Sequence, residues 1–276
     1  MRKRLIFVLL LLFTLVVSGC SNDSEVQKAG SDPSTIDSVL KKKKLIVGTA
    51  PGYFPFEMKD LNGNFIGYDI DTANAIAESL KVDIEFKQFG FDGLIPALQT
   101  GEIDMVVAGM TIRGDRALSV SFANPYFKTG QVMMLPKKDT ATKSWQDLDK
   151  KGKKIAVSLG TTGALLAKQL YKNAQVLDFE DFPTASMAMI QGQADGIIYD
   201  EPGVRTYELM NPDSVRGVYD LISSENLGIA VRKDDLRSIQ WINSFLESYI
   251  GSPKELESRE KWFENADWLD KVETKK

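Results

Sequence analysis

The side chains available for chemistry in this 276-residue chain are few. There is no histidine, which removes Ser-His-Asp and Cys-His catalysis, histidine-ligated zinc and histidine proton shuttles. Cys20 is the single cysteine, so neither an intramolecular disulfide nor a cysteine-clustered metal site is available, and no metal or cofactor is expected. What remains is carboxylate, guanidinium, hydroxyl and aromatic chemistry. Arg116 follows the turn Thr111-Ile112-Arg113-Gly114-Asp115, just beyond an apolar run; it is either a planar donor for a carboxylate or a surface partner of Asp115 or Glu102. Gly160-Thr161-Thr162-Gly163 lies between a strand-like and a helix-like stretch. Its amides can hold an anion, Thr161 can simply cap the helix, and the two are compatible. This turn lacks the Gly-x-x-x-x-Gly-Lys pattern of a phosphate loop. Asp200 closes another apolar run, placed either to receive a cation or to cap the helix that follows.

The elements that must position these groups alternate along the chain. Leu45–Thr49, Val82–Phe89 and Ile103–Ala108 read as strands, with helical spacing over Asp69–Leu80 and Phe91–Thr100 between them. The order then restarts, with strands at Lys154–Ser158, Val176–Phe179 and Gly196–Tyr199 and helices at Thr161–Tyr171 and Ala185–Gln191. Gly101-Glu102-Ile103-Asp104-Met105-Val106-Val107 echoes Gly192-Gln193-Ala194-Asp195-Gly196-Ile197-Ile198 as Gly-x-x-Asp-x-apolar-apolar. The fold class expected is therefore α/β, as two similar lobes with a ligand cleft between them. β-rich runs at Gln131–Leu135 and Asn226–Val231 suggest two crossings, hence a two-strand hinge. Lobe 1 is assigned to residues 43–125 and 230–276, lobe 2 to 131–225, and the hinge to about 126–130 and 226–229.

The N-terminal end speaks to location. Arg2, Lys3 and Arg4 precede the apolar run Leu5–Val17, which is too short for a spanning helix and ends in small residues, so residues 1–20 read as a secretory signal. Val17-Ser18-Gly19-Cys20 resembles a bacterial lipobox, which makes Cys20 the expected lipid-anchor residue and the cell membrane the expected address. Residues 21–42, polar and little patterned, are expected to be a flexible tether. With 34 basic and 38 acidic residues the net charge is only −4, and nothing in the balance argues for nucleic acid.

Gly67-Tyr68-Asp69-Ile70-Asp71, with Ala75-Ile76-Ala77 behind it, resembles the signature of family 3 extracellular solute-binding proteins, the polar-amino-acid receptors of ABC importers. Thr72 stands where an aliphatic residue is usual. Pro55-Phe56-Glu57, Ile95-Pro96-Ala97-Leu98, Gly109-Met110-Thr111 with Arg116, Gly160-Thr161-Thr162 and Asp200-Glu201-Pro202 agree in order, so the likeness spans about residues 45–263. It implies Arg116 as the carboxylate donor, with the Thr111 hydroxyl and Gly109 backbone beside it. Thr161 and Thr162 would meet the carboxylate from lobe 2, and Asp200 would take the ammonium. Tyr53 and Phe91 would grip the side chain, and Ser158 would vary with ligand. Arg113 is expected to be solvated and Glu201 to point away. Ala50 occupies a place where relatives that bind arginine, lysine or histidine carry an acid, which tilts the expected ligand towards a neutral one such as glutamine. The implied protein is a monomeric, non-enzymatic lipoprotein that hands a polar amino acid to a membrane permease. The alternative is a dehydratase-like enzyme on the same scaffold using a cleft carboxylate.

Overall fold

The structure, a computed structural model, describes residues 33–272. Residues 1–32, and with them the signal segment and Cys20, lie outside the described residues. Among those described, no helix is long and apolar enough to cross a membrane.

Two five-stranded sheets repeat one plan. In lobe 1 the order is Asp83–Gln88, Lys44–Thr49, Met105–Val106, Ala230–Arg232, Val120–Phe122, with the first three parallel and the last two pairing antiparallel. In lobe 2 it is Gln175–Phe179, Lys154–Ser158, Gly196–Asp200, Gln131–Pro136, Val215–Val218, again parallel and then antiparallel. The helix Tyr68–Leu80 crosses between the first two parallel strands of lobe 1, as Thr162–Leu170 does in lobe 2. The expected α/β fold with two similar lobes is borne out.

The sequence echo has a physical cause. Asp104 Oδ2 accepts the amide of Ile46 at 2.7 Å and pairs with Lys42. Asp195 Oδ2 accepts the amide of Lys154 at 2.8 Å and pairs with Lys153. In each lobe, then, a helix stops at glycine and an aspartate three residues on, just before the central strand, accepts an amide of the neighbouring parallel strand.

Two short strands join the lobes, Phe127–Thr129 and Glu225–Leu227, paired antiparallel. Their lobe 1 end is set in aromatic rings: Phe127 meets Phe56 at 4.9 Å and Phe263 at 5.0 Å, centroid to centroid. The C-terminal helices Leu236–Tyr249 and Pro253–Arg259 return to lobe 1. There the hydroxyl of Tyr68 donates to Glu255 at 2.7 Å, and Asp71 accepts the indole N–H of Trp262 at 2.6 Å.

One expectation is corrected. The last part of the supposed tether, Thr35–Lys42, is a helix with Ile36 and Val39 buried. Ser34 caps it by accepting the amide of Asp37, and Lys43 ends it in the left-handed region. Two of its first-turn amides find acceptors 200 residues away: Thr35 N donates to Asp235 Oδ2 at 2.7 Å and Ile36 N to Ser238 Oγ at 3.0 Å. A segment this short is marginal alone and is held by those long-range acceptors and by packing on Leu236–Tyr249, which no local pattern announces.

Candidate functional site

A cavity of about 320 Å³ lies between the lobes, walled by Tyr53, Phe91, Gly109 and Thr111 on one side and by Ser158, Thr161, Thr162 and Asp200 on the other. These are the sequence-predicted residues apart from Arg116, whose side chain lies alongside.

Arg116 is buried at the end of a one-turn helix, Gly114–Ala117. Its Nη1 donates to the Thr111 carbonyl at 2.9 Å and its Nη2 crosses the cleft to the Gly160 carbonyl at 3.0 Å. Neither Asp115 nor Glu102 takes it: Asp115 pairs with Arg113 and Glu102 with Lys87. The guanidinium stacks over Phe91 at 5.1 Å. Burial, and then the neighbouring Arg113, lower its pKa to about 10. A guanidinium carries five N–H donors, and the two carbonyls use only part of that capacity.

Asp200 stands at the N-cap position of Glu201–Met210, yet its side chain makes no cap hydrogen bond. It turns to the cleft instead, where Oδ2 accepts Gln131 Nε2 at 2.9 Å. Burial first, then the charge of Glu225, raise its pKa to about 7. Glu201 faces away and pairs with Arg205. Asp200 thus lines the cavity from one lobe, and the Arg116 guanidinium lies beside its wall from the other, held on the carbonyl of the lining residue Thr111.

Thr161 does cap its helix. Its hydroxyl donates to the Ser158 carbonyl at 2.7 Å and accepts the Ala164 amide at 3.2 Å, so its one proton is committed and it has none to give an anion. Any contribution to an anion comes from the first-turn amides of the helix, which have no intrahelical acceptor.

Tyr53 meets Tyr199 edge-on at 5.5 Å, and Tyr199 stacks on Phe182 at 4.0 Å. Gly109 allows Tyr53 its place, since a Cβ there would sit 2.2 Å from Tyr53 Cε1. Sequence reasoning passed over Tyr199 and Phe182, and over a buried acid layer behind the Gly109 turn. Asp69 Oδ2 accepts the Gly109 amide at 2.6 Å and the Tyr126 hydroxyl at 2.8 Å. Burial raises the Asp69 pKa to about 6, against the lowering effect of those bonds, and burial and the Asp69 charge push Glu57 well above the carboxylate range. Asp69 and Glu57 stood in the quoted motifs, but nothing local shows that their side chains turn inward. Among the described residues no cluster of three or more metal-ligating side chains occurs.

Residues 45–265 match the model of the bacterial extracellular solute-binding proteins, family 3, and the chain belongs to that family. A "Probable histidine-binding protein" of Neisseria gonorrhoeae is 36% identical over 199 residues, 71% of this chain and 74% of that one. Among solved structures, an ancestral arginine-binding protein bound to glutamine has a TM-score of 0.76 and 40% identity, covering 81% of this chain and 99% of its own. The ancestral amino acid-binding protein AncCDT-1, described as a precursor of cyclohexadienyl dehydratase, has a TM-score of 0.79 and 39% identity, covering 83% of this chain and 100% of its own.

Proposed function

We propose that this chain captures a polar α-amino acid outside the cytoplasm and delivers it to the permease of an ABC importer, preferring a neutral ligand such as glutamine to arginine, lysine or histidine. The observation that carries the amino-acid reading is that Asp200 lines the cavity from lobe 2 while the Arg116 guanidinium lies beside the cavity wall in lobe 1, on the carbonyl of the lining residue Thr111. A zwitterion joins them only when the lobes are together, so binding favours the closed arrangement. The neutral preference rests on Ala50, which lines the wall without a charge. Two of the carboxyls nearby are poorly suited to a cation: burial favours the protonated form of Glu57, and Asp181 caps the helix Phe182–Ile190. Lys59 borders the same cavity. Relatives named for histidine and for arginine, the latter with glutamine bound, support the ligand class and leave its side chain open.

A thermal-shift panel of the common amino acids tests this reading. Ligand at a hundred times its dissociation constant stabilises the fold by about 2.7 kcal/mol. Glutamine should move the midpoint more than arginine; no movement with any amino acid overturns the ligand class.

The reading extends to a monomer held at the membrane by lipid on Cys20. Incorporation of labelled fatty acid that survives Cys20→Ala would contradict the anchor, and size-exclusion chromatography with light scattering checks the monomer. Capture without turnover is part of the same proposal. The Asp200 pKa of about 7 is the observation that favours the rival dehydratase reading, since it suits a general acid. Amino acid recovered unchanged after long incubation with purified protein supports capture, and its loss supports the enzyme.

A further inference from the structure

Glu225 opens the hinge strand Glu225–Leu227 and is 8% exposed. Its Oε2 accepts the hydroxyl of Thr111, from lobe 1, at 2.8 Å and the hydroxyl of Thr162, from lobe 2, at 2.7 Å. Its Oε1 accepts the hydroxyl of Ser223 at 2.8 Å. The two threonine oxygens lie 3.5 Å apart across the cleft. Gln131 Nε2 donates to Thr162 Oγ1 at 3.2 Å and to Asp200 Oδ2 at 2.9 Å, which links this cluster to the acid at the cavity.

A hydroxyl has one proton to donate and two lone pairs to offer. An ionised carboxylate only accepts, so it fixes the direction of both hydrogen bonds made to it. With their protons committed to Glu225, Thr111 and Thr162 present lone pairs alone to the cavity. Thr111 is then unable to donate to a ligand carboxylate, the role that the resemblance implied for it. It is fitted to accept from a ligand ammonium beside Asp200, leaving the ligand carboxylate to Arg116 and the helix amides.

We propose that Glu225 is a positioning residue of the binding site, a hinge carboxylate that sets the Thr111 and Thr162 hydroxyls as acceptors for an α-ammonium group and ties the two lobes through them. This rests on the amino-acid reading above. The geometry also places the residue where the chain crosses between lobes, so the contact forms only when both threonines reach the hinge together.

The test is calorimetric titration with L-glutamine and L-arginine of the wild type, Glu225→Ala, Glu225→Gln, Thr111→Val and the Glu225→Ala/Thr111→Val double variant. Loss of the carboxylate should weaken binding about tenfold or more, the scale of charge-assisted hydrogen bonds. Glu225→Gln, which keeps the shape and can accept in one direction only, should fall between and serves if the alanine variant does not fold. Thr111→Val should weaken the wild type about tenfold yet cost less than about twofold in the Glu225→Ala background, because the hydroxyl is no longer oriented there. Binding by Glu225→Ala within twofold of wild type overturns the proposal. So does an unchanged effect of Thr111→Val in both backgrounds, which would mark Glu225 as a structural support only. If the wild type binds no amino acid, the amino-acid reading itself falls, and this inference falls with it.

Discussion

Arg116 in one lobe donates to the carbonyl of Gly160 in the other at 3.0 Å, so the group expected to hold the ligand's carboxylate is itself a bridge across the cleft. Its acceptors are carbonyl oxygens, and no carboxylate hydrogen-bonds to it among the described residues. A buried guanidinium supported only by carbonyls is well placed to gain from an anionic ligand.

Arg116→Ala should therefore abolish ligand binding and leave the fold intact. Removing one partner of a buried, hydrogen-bonded charge pair costs about 2–5 kcal/mol, so affinity should fall about thirtyfold at least. Arg116→Lys should recover little, because a point charge does not reproduce the planar fork. Titration calorimetry with the amino acid that gives the largest thermal shift, together with far-UV circular dichroism of the unliganded variants, checks both statements. A variant that binds normally would refute the assignment.

Asp200 should make binding pH-dependent. Its pKa of about 7 means that the carboxyl is largely protonated below that pH, whereas an ammonium ligand requires the ionised form. Affinity should drop about tenfold per pH unit below 7 and stay flat above it. Asp200→Asn should bind weakly with no such slope. The stability effect has the opposite direction. In the unfolded chain the group titrates near 3.9, so between about 4 and 7 the folded state holds the extra proton and stability declines as pH rises. Above 7 that loss is complete, and unliganded Asp200→Asn should melt higher than wild type at pH 8.

Ala50 supplies a gain-of-function test. Ala50→Asp places a carboxylate on the cavity wall, and the ratio of glutamine to arginine affinity should shift about tenfold or more towards arginine. Ala50→Asn, of similar size and without charge, should leave the ratio near that of the wild type. Competition titrations of the two amino acids on each variant measure it, and equal shifts from Asp and Asn would show that charge at this position is not what discriminates.

Asp104 and Asp195 should differ in stability effect despite their shared role. The Asp104 side chain is 6% exposed and the Asp195 side chain 32%. Truncating Asp104 to alanine takes the acceptor from the part-buried amide of Ile46 and should cost about 2–3 kcal/mol, whereas water can reach the exposed Lys154 and hold the Asp195→Ala loss to about 1 kcal/mol. Being in separate lobes with no shared partner, the two should add. Urea denaturation of the single and double variants settles the order.

Much of this protein was legible in its sequence, for identifiable reasons. Strand alternation and helix spacing are local features of the chain, because each reflects a period of the backbone, and the Gly-x-x-Asp echo is visible as a repeat although its aspartates hold amides 58 and 41 residues away. The same is true of the blocks around Arg116, Gly160 and Asp200, which lie at strand ends and so belong at the cleft edge of the sheets. The tertiary structure decided what depends on groups distant in the chain. The helix Thr35–Lys42 takes amide acceptors from Asp235 and Ser238, and Asp69 turns inward to hold Gly109, 40 residues on. Glu225 meets Thr111 and Thr162 over separations of 114 and 63 residues. Whether Thr111 donates to a ligand or accepts from it is a question of where one proton points, and only the folded hinge brings in the carboxylate that answers it.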